Sequence, residues 1–170
     1  MGQREQGVDL DTSLGYLLKQ AASALRAAME DELRPLGMTV THYACLELLA
    51  QRPGLSGSEL ARGVFVTRQS MHVLLQALER DGAVTRPAAA AAGRALPAEL
   101  TPRGRRALAG ATAGVRSVEE RMLAGLDDGD RDAARRLLRH MVAALGEGGA
   151  PLPTPPVVPP LGLEPRTDGL

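Results

Sequence analysis

Thr67-Arg68-Gln69-Ser70 opens a segment whose side chains suit hydrogen bonding to the edges of nucleic-acid bases. In a helix over about residues 67–81, Met71, Leu74, Leu75 and Leu78 fall on one apolar stripe. Arg68, Gln69, Ser70, His72, Val73 and Gln76 then face outward. Arginine matches the paired acceptors of guanine and glutamine the donor–acceptor pair of adenine, while a valine suits a thymine methyl. The Thr67 hydroxyl and the free amides of the helix N-terminus favour phosphate. A merely solvated helix face has the same polar composition, so the flanking elements carry the weight.

Those elements form a recognisable order. Ser56-Gly57-Ser58-Glu59 is a capping box, which predicts a short helix over about 56–62. Gly63-Val64-Phe65-Val66 is a tight apolar connection, and Leu60, Phe65, Met71 and Leu74 are expected to hold the two helices crossed. Gly82 supplies the left-handed residue that stops the second helix. Ala83 to Arg86 and Arg94 to Leu100 read as two short strands around a tip, Pro87 to Gly93, although the alanine run 88–92 also suits a helical turn. Helix, turn, helix and hairpin make a winged helix-turn-helix, which offers its second helix to a major groove.

Charge supports that reading only locally. The chain has 170 residues, 20 basic and 20 acidic, so its net charge is zero. Between 56 and 106, eight arginines face four acids, a net +4. The neutral total thus excludes a uniformly basic binder and conceals a basic segment. Aromatics are Tyr16, Tyr43 and Phe65 alone, too few for a base-stacking platform.

The remaining periodicity is helical. Leu14, Leu17, Leu18, Ala21, Leu25, Ala28, Met29 and Leu33 mark a helix from Asp11 or Thr12, as N-cap, to Leu33, ended by Pro35 and Gly37. A second helix follows Thr39 and runs to about Gln51. Thr101-Pro102 restarts helix to about Leu126, with Leu108, Val115 and Met122 seven apart and Ala111 and Val118 beside them. A final helix covers about 130–145, where Arg135, Arg136, Arg139 and His140 read as a solvated face opposing acids of the neighbouring helix. Residues 1–10 read as a flexible start and 11–146 as one domain. Residues 147–170, with seven of the twelve prolines, read as a disordered tail. The start lacks a signal-peptide core and no run spans a bilayer, so a cytoplasmic protein without a membrane partner is expected.

Other chemistry finds little support. His42, His72 and His140 lie on three helices and Cys45 is the single cysteine, so no metal site is expected. No nucleophile elbow, phosphate loop or paired-carboxylate motif appears, so neither catalytic residues nor a cofactor is expected. Cys45, among apolar neighbours, reads as a small core residue, with thiol sensing as the alternative. The segment PLPTPPVVPPLGLEP leaves open a helical interaction protein that docks partners through its tail without DNA.

Over about residues 12–145 the sequence resembles the MarR family of winged-helix regulators. The likeness rests on Leu36-Gly37-Met38-Thr39, Pro53-Gly54-Leu55-Ser56, Leu78-Glu79-Arg80-Asp81-Gly82, and Gly93-Arg94 before Leu100-Thr101-Pro102-x-Gly104. It implies a homodimer on pseudo-palindromic promoter DNA, with dimerisation helices at about 11–34, 102–126 and 130–145 around a winged helix-turn-helix at about 39–101. By the same resemblance Arg94 is the wing arginine that enters the minor groove. The family often has an aspartate two residues earlier, where this chain has Ala92. The resemblance also implies a small-molecule effector, often an aromatic or phenolic anion, bound near Tyr16, His42 and Tyr43. Ser56, Thr67, Arg68, Gln69, Ser70, His72, Val73, Gln76, Arg86 and Arg94 form the candidate DNA-binding set. The expected fold is mainly α, with a short β-hairpin wing, and the expected function is a ligand-responsive repressor.

Overall fold

The computed structural model describes residues 9–86 and 97–146. Among the described residues there are six α-helices: α1 (Leu14–Leu33), α2 (Val40–Gln51), α3 (Gly57–Gly63), α4 (Arg68–Arg80), α5 (Pro102–Leu123) and α6 (Asp128–Leu145). A 3-10 turn, Arg34–Leu36, joins the first two. Strands β1 (Val84–Thr85) and β2 (Glu99–Leu100) pair antiparallel, Val84 opposite Leu100 and Thr85 opposite Glu99. Both strands are shorter than the expected 83–86 and 94–100. The wing tip, Arg94, residues 1–8 and the proline-rich segment 147–170 lie outside the described residues.

Side-chain caps set most helix starts. Thr39, Ser56, Thr67, Thr101 and Asp127 each accept a backbone N–H three residues on. At Ser56 the bond is reciprocated, because Glu59 accepts from the Ser56 amide at 2.8 Å and from its hydroxyl at 2.7 Å. Helix α1 is capped by Ser13 rather than by Asp11 or Thr12. The Asp9 carboxylate accepts from the Asp11 amide and from the Thr12 hydroxyl, which engages the Thr12 side chain ahead of the helix.

Three chain reversals end in the same backbone motif. At Gly37 the glycine amide donates to Arg34 and the next amide to Leu33. At Gly82 the pattern repeats with Glu79 and Leu78, and at Phe65 with Arg62 and Ala61. The central residue is left-handed each time, with φ of 66°, 69° and 60° respectively. Glycine takes that conformation freely, whereas an L side chain pays on the order of 1–2 kcal/mol.

The core lies where α2, α3, α4, the strands and the first turns of α5 meet. Leu33, Cys45, Leu46, Leu60 and Met71 are essentially inaccessible, with Leu74, Leu75, Leu78, Val84, Leu100 and Leu108 packed around them. Each such side chain contributes roughly 1.5–3 kcal/mol of burial. The expected inward stripe of α4 is therefore the buried one. Phe65 is not part of this core: its ring is 92% exposed. The left-handed backbone at residue 65 turns the ring outward, and Val64 and Val66 pack against the core instead.

Gly104 fixes the junction of wing and long helix. A Cβ there would lie 2.0 Å from the Ala83 carbonyl oxygen, so only glycine lets α5 approach β1 this closely. Thr101 completes the joint, its hydroxyl donating to Gly82 O at 2.6 Å and accepting from the Gly104 amide at 3.0 Å.

The outer helices are not covered in the single chain. Leu14, Leu17 and Leu18 of α1, Met122 of α5, and Leu137, Leu138, Val142 and Leu145 of α6 are all exposed. Arg131 ties the start of α6 to the end of α5 by donating to the Leu123 and Leu126 carbonyls. Arg135 pairs with Asp132 of its own helix, not with an acid of the neighbouring one. Among the described residues no helix is long and apolar enough to cross a membrane.

Candidate nucleic-acid interface

Helix α4 presents the expected polar face. Arg68, Gln69, Ser70, His72, Val73 and Gln76 are exposed, while Met71, Leu74, Leu75 and Leu78 anchor the opposite side. The start of α4 is rigid. Thr67 accepts the Ser70 amide at 3.0 Å, and the two hydroxyl oxygens lie 2.8 Å apart. The Thr67 hydroxyl is thus engaged locally, and both oxygens sit at the mouth of the helix.

Part of the set converges. Ser56, Arg68, His72 and Arg86 line one recess of about 230 Å³, between the start of α3, the flank of α4 and the base of the wing. Ser58 lines it too, a residue that the helical pattern of the sequence did not single out. Two guanidinium groups, an imidazole and the Ser58 hydroxyl give this recess donors of the kind that a phosphate or a base edge requires, the Ser56 hydroxyl being given to Glu59. Gln69, Ser70, Val73 and Gln76 stand outside it on the open face of α4.

Arg86 is not a free cation. Its Nε donates to Glu79 Oε1 at 2.7 Å and its terminal nitrogen pairs with the other carboxylate oxygen. The hydrogen bond from Arg86 holds the Glu79 carboxyl below the usual range, and the charges of Arg86 and His72 act in the same direction. Burial opposes them. The pairing spans seven residues and the Gly82 reversal, a separation that no helical spacing rule would flag. Arg68, in contrast, is exposed and forms no ion pair among the described residues.

The candidate effector residues are not gathered in one cavity. Tyr16 is exposed on α1. Tyr43 is buried, and burial pushes its phenol above the ordinary value. His42 accepts the Thr39 amide at Nδ1, 3.3 Å away, and burial lowers its imidazole pKa despite the charge of Asp81. His42 does line a cavity of about 210 Å³ with Met38, Leu46, Leu78, Asp81 and Arg103. Arg103, in the first turn of α5, is the basic residue that sequence reasoning overlooked there.

Cys45 is fully buried, and desolvation pushes its thiol up to about 11. Among the described residues no group of three His, Cys, Asp or Glu side chains is placed to hold a metal ion.

Comparison with known proteins bears on the same elements. The MarR family pattern matches residues 36–95. The HTH-type transcriptional repressor Rv2887 of Mycobacterium tuberculosis is 44% identical over 135 residues, which cover 79% of this chain and 97% of that protein. The solved structure of Rv2887 in complex with DNA aligns with a TM-score of 0.64 at 42% identity, over 77% of this chain and 98% of that one. Its complex with salicylic acid aligns with a TM-score of 0.63 at 44% identity, over 77% and 97%. On the family pattern and this relative, matched over nearly its whole length, the chain belongs to the MarR family of winged-helix transcriptional regulators.

Proposed function

We propose that the chain acts as a homodimeric repressor that reads promoter DNA through α4 and releases it when a small anionic effector binds. The observation that carries the reading is the outward face of α4, with Arg68 at its start in no ion pair among the described residues and a recess of hydrogen-bond donors on its flank. Arg68, Gln69 and Gln76 are suited to base edges, and Ser56, Thr67, Ser70 and His72 to phosphates or bases bordering them. Arg86 serves at the base of the wing, and Arg94, outside the described residues, at its minor-groove end.

The apolar side chains left open on α1, α5 and α6 support pairing with a second copy, since a patch of this kind on one chain marks an interface. A two-fold axis there would present two α4 helices to half-sites about one helical turn apart.

The similarity to a salicylic acid complex directs attention to the cavity between α2 and α5. His42 and Arg103 would face a carboxylate there, and Met38, Leu46 and Leu78 an aromatic ring. Such a ligand lowers DNA occupancy only if it binds the DNA-free geometry more tightly.

The test is selection of genomic fragments by the purified protein, followed by a salt series on the strongest fragment. The expected result is a specific duplex whose affinity falls steeply with salt and falls again on adding salicylate. A protein that retains no fragment at low salt is not a DNA-binding regulator.

A further inference from the structure

Phe65 carries two costs that the fold does not recover. Gly37 and Gly82 perform the same chain reversal with glycine, at φ of 66° and 69°, so the motif has no need of a side chain. At the reversal between α3 and α4 the residue is phenylalanine, in a conformation that bulky residues rarely adopt. Its ring is 92% exposed, in a chain with two other aromatic residues. Strained backbone and an exposed apolar ring at one residue point to a contact made outside the chain.

The surroundings say what kind of contact. Phe65 stands two residues before the Thr67 cap, at the mouth of the helix that faces the major groove. Arg62 and Arg68 flank it in sequence, both exposed and neither in an ion pair among the described residues. An apolar protein surface seated on the ring would leave these two guanidinium groups facing it unpaired. The edge of a DNA groove offers all of these together, C–H faces of deoxyribose for the ring, a phosphate for Arg62 and a base edge for Arg68.

We propose that Phe65 is a DNA-contact residue whose ring lies against deoxyribose of the strand bordering the groove that α4 enters, beside a phosphate held by Arg62. The proposal rests on the DNA-binding reading above and adds a contact that the polar face of α4 does not include.

The experiment uses the duplex selected by the parent protein. Phe65→Gly removes both the ring and the backbone strain, so the variant should melt no lower than the parent. It should nevertheless bind the duplex about tenfold more weakly, the loss expected for part of a ring's buried area. A second variant, Phe65→Trp, supplies the chain's single indole, since the sequence has no tryptophan. Its emission should shift on saturation with the duplex. Unchanged affinity in Phe65→Gly, or emission unmoved by bound duplex, overturns the Phe65 contact while leaving the regulatory reading standing. A parent protein that selects no duplex overturns both.

Discussion

Arg86, at the end of β1, and Glu79, in the last turn of α4, form a two-point ion pair across the Gly82 reversal, with Nε to Oε1 at 2.7 Å. The pair fastens the base of the wing to α4. Both side chains are about 30% accessible, so solvent screens the pair without dissolving it. Arg86 is therefore first a strut, and it also lines the recess shared with Arg68 and His72.

Breaking that strut has a pH signature. Glu79→Gln should lower the unfolding free energy by about 1 kcal/mol at neutral pH. The folded-state pKa of Glu79 is depressed, chiefly by the hydrogen bond from Arg86. The stabilisation is thus fully present above the ordinary carboxylate range and is lost as pH falls through the lowered folded value. Urea denaturation of parent and variant at about pH 7 and about pH 3.5 measures it. A gap equally wide at both pH values rules out the ion pair as its source.

Arg68 stands exposed at the start of α4, and its loss should relax sequence choice. If it is bidentate to guanine, Arg68→Ala costs about 1–3 kcal/mol on the selected duplex and far less on duplexes altered at that base pair. Titrating both duplexes at fixed salt separates the cases. An equal loss on every sequence, with a salt slope lower by about one, would reassign Arg68 to a phosphate.

Much of this interface is legible in sequence because local chemistry determines it. Thr39, Ser56, Thr67 and Thr101 cap the helices expected of them, and the 71/74/75/78 stripe is buried as its spacing requires. Phe65 is the clear failure. An apolar type in an apolar tetrapeptide reads as core, yet the hydrogen bonds of the reversal demand a left-handed residue whose side chain points out. The Glu79–Arg86 pair, the Gly104 contact and the place of Arg103 beside His42 are tertiary, set by how α5 returns to the wing. Their spacing carries no periodic signal.

The buried thiol bears on the rival, oxidant-sensing reading. With its pKa pushed up to about 11 by desolvation, Cys45 holds almost no thiolate at neutral pH. A thiol reagent should react with the folded chain at least about a hundredfold more slowly than with the unfolded one. Hydrogen peroxide should leave duplex binding unchanged. Release of DNA by peroxide from the parent but not from Cys45→Ser would restore the sensor.

The open apolar face makes its own prediction. Leu138 and Val142, exposed on α6, should be covered by the second copy. Leu138→Asp places a charge in that contact, which apolar packing cannot satisfy. The variant should elute at half the parent's mass and lose affinity for the full operator while keeping its helical content. A variant that stays dimeric and binds normally would move the interface elsewhere.

Gly104 gives a prediction whose sign opposes helix propensity. In a helix interior alanine is favoured over glycine by about 1 kcal/mol, and Gly110→Ala, with nothing within 4 Å of its added Cβ among the described residues, should gain up to that amount. At Gly104 the same methyl would meet the Ala83 carbonyl oxygen at 2.0 Å. That oxygen has little room to retreat, because it accepts from the Thr101 amide at 3.1 Å and the Thr101 hydroxyl at 3.2 Å. Gly104→Ala should therefore destabilise the chain by about 1–3 kcal/mol, the usual cost of overpacking, and displace the wing base from α5. Paired urea denaturations of the two variants isolate the contact from propensity. Equal stabilisation in both would mean that α5 does not approach β1 as closely as this geometry places it.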